Sequence, residues 1–157
     1  MFQISCPDLL NGTFAPIHVL DSYGCTGGNV APRLQWSGVP NGTKSLVLIF
    51  FDPDGNGGRG WWHWAVANIP ASATGLAQGA TRSRLIVGAT ETATSFDTPG
   101  YGGPCPEAGE RHHYVFSLIA VSVERLDVDG GTSPRDLRAM ADRHSLGVAT
   151  LTVPFER

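Results

Sequence analysis

The sequence predicts a mainly β fold, an antiparallel or mixed sheet with one clear helix late in the chain. Three observations carry this. Twenty glycines and eleven prolines among 157 residues suit strands and loops better than a helical bundle. Three apolar runs rich in β-forming residues recur along the chain and are too short for helices. Only one segment has both a helix start signal and helical spacing of its apolar residues. The length is that of one domain with a real core, so residues 1–157 are read as a single domain.

In chain order, Asn11-Gly12, Gly24, Gly27-Gly28 and Asn41-Gly42 punctuate the first forty residues, with short strands expected at Phe14–Leu20 and Arg33–Trp36. Ser45–Phe51 is uniformly apolar after its serine and ends at Asp52-Pro53, as a strand buried on both faces would. Trp64–Ile69 is a second strand, stopped by Pro70, and Tyr114–Val121 a third. Between Ile69 and Tyr101 a long loop is expected, with one short strand near Leu85–Val87. Ser133 caps the helix, Pro134 opens it, and Leu137, Met140 and Ala141 form its apolar stripe, with Gly147 expected to close it. Val148–Phe155 alternates as a last strand.

Charge and cysteines narrow the function. A net charge of −3 leaves no basic footprint for nucleic acid and argues against an anionic membrane surface as the main partner. No apolar run is long enough for an integral membrane segment, and Met1–Cys6 does not read as the start of a signal peptide. Cys6, Cys25 and Cys105 form no CxxC pair, so reduced thiols in a cytoplasm are expected, a Cys6–Cys25 bridge with free Cys105 being the alternative.

Two segments concentrate chemistry. In Asp52–Trp64 a buried strand runs into two carboxylates, a glycine-rich loop, and three tryptophans around His63. In Tyr101–Tyr114 a Gly/Pro loop delivers His112, His113 and Tyr114 to the start of a strand. Strand parity puts His112 and Tyr114 on one face and His113 on the other. A carboxylate that takes a hydrogen bond from one imidazole nitrogen favours the charged ring. Two imidazoles and a phenol then offer donors to an oxyanion, with Trp62 and Trp64 as an apolar wall. Each feature also has a plainer reading. The tryptophans and His63 suit a packed core, Asp52 a turn cap, Cys105 a small buried hydrophobe, and His18 and His144 surface or filler positions.

Asp52-Pro53-Asp54, Trp62-His63 running into Val66–Pro70, and Tyr101–Pro106 leading to His112-His113-Tyr114 resemble the phosphatidylethanolamine-binding protein family, most closely its bacterial Raf-kinase-inhibitor-like branch. Phe2–Ser5, Asn29–Pro32 and Leu34–Pro40 extend the resemblance to the N-terminal half. It implies a large central sheet with a smaller sheet packed on it, one or two peripheral helices, and an anion pocket for phosphate, acetate or a phospholipid headgroup. Asp52, Asp54, His63, His112 and Tyr114 are carried over as pocket residues, with Gly103 and Pro104 at the rim. The chain departs from the family in Gly55-Asn56, where Ala-Pro is usual, in Cys105, where a glycine or other small residue is common, and in ending soon after Phe155, without the C-terminal helix of eukaryotic members.

The expectation is therefore a non-catalytic binder of a small anion, without cofactor or metal, with a homodimer and regulatory protein contacts by family analogy. A hydrolase using the Asp/His/Tyr cluster is the alternative, though no Ser or Cys sits in a nucleophile elbow. His63, His112 and Asp54 as metal ligands lack an HxH or HExxH spacing.

Overall fold

The computed structural model describes all residues, Met1–Arg157. Its main sheet has five antiparallel strands in the order β6-β4-β3-β7-β8: β3 Ser45–Asp52, β4 Trp61–Pro70, β6 Thr90–Glu91, β7 Arg111–Val121 and β8 Ser145–Glu156. A three-stranded antiparallel sheet, β1-β2-β5, is formed by Gln3–Ser5, Leu34–Ser37 and Gly75–Leu76. The other regular elements are the helix α2, Pro134–Arg143, a single irregular turn α1, Gly55–Gly58, with Asn56 and Gly57 at positive φ, and two 3-10 turns, Pro16–His18 and Arg82–Arg84.

The uniform apolarity of β3 follows from its central place. Leu46, Leu48 and Phe50 face the small sheet, in one core with Ile4, Leu34 and Trp36. Val47 and Ile49 face the other way, in a second core with Leu137 and Ala141 of α2. Phe50 pairs with Phe116 of β7, their rings stacked 4.1 Å apart. Ser133 caps α2 by accepting a hydrogen bond from the Asp136 N–H at 3.0 Å.

Four expectations change. Phe14–Leu20 is not a strand; a short 3-10 helix spans Pro16–His18, and the Leu20 N–H bonds Pro104 of a distant loop instead of a neighbouring strand. His18 is not a surface residue: it is 1% exposed and its Nδ1 lies 2.8 Å from the Val30 carbonyl oxygen. No strand forms at Leu85–Val87; the next strand is Thr90–Glu91, where the Glu91 carboxylate accepts from the Trp64 indole and the Arg82 N–H. Helix α2 ends at Arg143, before Gly147, because the chain turns at His144 straight into β8, where Gly147 pairs with Ala120.

The cysteines also differ from expectation. Cys25 and Cys105, 80 residues apart, form a disulfide, and Cys6 is the free thiol, buried. Linear spacing did not suggest this pairing. The same two loops are also joined by hydrogen bonds at Leu20–Pro104 and Gly103–Asn29. Burial pushes the Cys6 thiol up to about 11.

Candidate functional site

Where β3, β4 and β7 end beside the Cys25–Cys105 bridge lies a cavity of about 380 Å³. Its floor holds Asp52, His63 and His112, and Trp61, Phe96 and Tyr23 wall it. Phe96 packs edge-on against Trp61 and His63, each at 5.4 Å between centroids.

A bulge decides which tryptophan faces this space. Phe50 pairs with Trp64 but Phe51 with Trp62, so His63 is an extra residue in β4. The insertion reverses the alternation: His63 stays on the cavity side, Trp62 turns to the opposite face against Phe51 at 4.4 Å, and Trp61 comes round to the cavity. Trp62, expected as a pocket wall, is not brought there, and Trp64 lies deeper in the core.

Asp52 is 2% exposed and fully engaged. Its Oδ1 accepts the N–H groups of Asp54 and Gly55, at 2.9 and 3.1 Å, and its Oδ2 lies 2.7 Å from His112 Nδ1. The other His112 nitrogen, Nε2, lies 2.9 Å from Glu110 Oε1. A carboxylate only accepts, so both ring nitrogens carry protons and His112 is an imidazolium. Burial pulls its pKa down, but the hydrogen bonds and charges of Asp52 and Glu110 outweigh this and raise it above 6.5.

His63 is the opposite case. Its Nδ1 donates to the Gly102 carbonyl oxygen at 2.8 Å, and burial holds its pKa down at about 4. The ring is neutral, and Nε2, without a protein partner, is an acceptor. Tyr114 is fully buried above Phe50, its hydroxyl lacking a hydrogen-bond partner. Burial, then the negative charge of Asp52, drives its phenol far above the ordinary range.

The remaining residues separate from the cavity. Asp54 is turned to the other face, where its Oδ2 accepts from the His113 N–H at 2.8 Å and sits 3.0 Å from His113 Nδ1; those bonds lower its pKa. Gly103 lies behind the wall, packed so closely on the His18 and Leu20 backbone that a Cβ would collide, while Pro104 accepts from Leu20. Cys105, next along, reaches the rim.

Sequence reasoning missed Trp61, Phe96, Glu110 and Arg157. The Arg157 guanidinium bonds the carbonyls of Gly24 and Pro106, strapping the two bridged loops beside the cavity. Asn56, at φ 52°, occupies a left-handed conformation closed to proline, so Gly55-Asn56 builds a different loop from Ala-Pro. No three His, Cys, Asp or Glu side chains converge as metal ligands.

Comparison with known proteins places this architecture. The phosphatidylethanolamine-binding protein family model matches residues 11–156. The chain belongs to that family. Among family members, YbcL of Escherichia coli is 39% identical over 99% of this chain and 87% of its own length. The crystal structure of YbcL, described as a new member of the mammalian PEBP family, superposes with a TM-score of 0.94, covering 99% of this chain and 98% of that one. A Mycobacterium tuberculosis relative that bears a lipoprotein name, LppC, is 38% identical over 98% of this chain and 71% of its own. In the present family member no helix is long and apolar enough to cross a membrane.

Proposed function

We propose that this protein binds a small oxyanion that also carries a hydrogen-bond donor, inorganic phosphate being the simplest and a phosphorylated headgroup a larger form. One observation carries this reading: the two imidazoles at the cavity floor are held in opposite states. His112, charged by its carboxylates, donates to an anionic oxygen; neutral His63 accepts a hydrogen bond from a P–OH or a neighbouring ammonium. The aromatic wall excludes water and strengthens both contacts.

The cysteines support binding over nucleophilic sulfur chemistry. Cys105 is tied up in the bridge, and the Cys6 thiol is buried. The Cys25–Cys105 bridge favours an oxidising compartment over a cytoplasm.

Calorimetric titration at about pH 6 with phosphate and sulfate tests the reading, since both are tetrahedral anions but only phosphate keeps an O–H. Phosphate binding about ten-fold tighter than sulfate is expected, one hydrogen bond with a buried partner being on the order of 1.4 kcal/mol. Equal affinities, or no phosphate binding at millimolar concentration, would overturn it.

A further inference from the structure

We propose that Glu110 is a built-in competitor for the anion site: its carboxylate occupies His112 Nε2 in the empty protein, and a ligand must displace it. This rests on the anion-binding reading and adds the group that sets the affinity.

The two carboxylates on His112 are held very differently. The Asp52 side chain is 3% exposed and bound to two backbone N–H groups besides the ring, so it is fixed. The Glu110 side chain is 55% exposed and its only hydrogen-bonded partner is His112. The backbone of Glu110 is pinned on both sides: its N–H donates to the Glu107 carbonyl, and its own carbonyl accepts from the Arg157 N–H. Release therefore needs a side-chain rotation alone, with no loop movement.

There is room for that rotation. A second hollow, of about 660 Å³, lies beside the first, and Asn56, Glu107 and His112 line both. Glu110 belongs to the second hollow, whose other walls are Asp54, Arg111 and His113. The Glu110–His112 contact thus divides two spaces that meet at the His112 ring. Swinging Glu110 towards Arg111 and solvent frees Nε2–H for an anionic oxygen and joins the hollows, which suits a phosphate bearing a substituent. A half-exposed carboxylate is rehydrated at little cost, so the displacement is reversible.

Calorimetric titration of inorganic phosphate into the wild type, Glu110→Ala and Glu107→Ala, at one ionic strength, decides the matter. Glu107 is the control: it adds the same charge to the same rim without bonding His112. Glu110→Ala is expected to tighten phosphate about five-fold beyond any gain in Glu107→Ala, the share of an ion pair half in solvent. If Glu110→Ala binds no tighter than Glu107→Ala while the wild type binds phosphate, the competitor role is overturned and the anion site stands. If none of the three binds phosphate, the anion reading itself falls, and the competitor role with it.

Discussion

His112 and His113 are neighbours in the chain, each paired with one carboxylate of Asp52-Pro53-Asp54, yet they lie on opposite faces of β7 and differ in nearly every physical respect. His112 is 7% exposed and bonds the buried Asp52 carboxylate, 3% exposed; the His113 side chain is 54% exposed and bonds a carboxylate that is 43% exposed. The same pair of residue types makes a buried cavity floor on one face and a solvated surface contact on the other. Burial, not identity, separates them.

The largest expected effect comes from the frame around the buried face. Replacing Cys25 and Cys105 by serine opens a closure spanning 80 residues and is expected to cost about 4 kcal/mol in chemical denaturation. The same loop carries Gly102, which orients His63, so phosphate binding should weaken while the ring signals of His112, held by β3, change little. Asp52→Ala should come next. It strands two backbone N–H groups and a buried imidazolium, a loss of about 3 kcal/mol. Asp54→Ala, on the exposed face, should fall within about 0.5 kcal/mol of wild type. If the two aspartates cost the same, the contrast between the faces is wrong.

The two cavity histidines should also shape stability against pH with opposite signs. His63 has a depressed pKa, so its contribution is complete above 6.5 and is lost as pH falls towards about 4. Over that window the slope should approach about 1.4 kcal/mol per pH unit. His112 has a raised pKa, so its contribution is complete below 6.5 and is lost as pH rises through its folded value. Denaturation curves should therefore show His63→Gln flattening the acid limb and His112→Gln the limb above 6.5.

Much of this was legible in the sequence. The strands β3, β4, β7 and β8 and the helix α2 are set by local apolar runs and a cap, and β7 parity assigned His112 and Tyr114 to one face and His113 to the other. What was not legible depends on distant partners. The bulge at His63 shows only when β4 is laid against β3, and it exchanges Trp62 for Trp61. The Cys25–Cys105 bridge joins residues 80 apart, and the Arg157 strap reaches Pro106 and Gly24, 51 and 133 residues away. Asp54 follows Asp52 by two, which strand alternation would put on the same face; the chain leaves β3 at Asp52, so alternation no longer applies.

The most direct test of the central claim is nitrogen-15 NMR of the histidine rings in the anion-free protein at about pH 6. The account predicts His112 protonated on both ring nitrogens and His63 neutral, with its proton on Nδ1. A His63 ring protonated on Nε2, or a neutral His112, would contradict it.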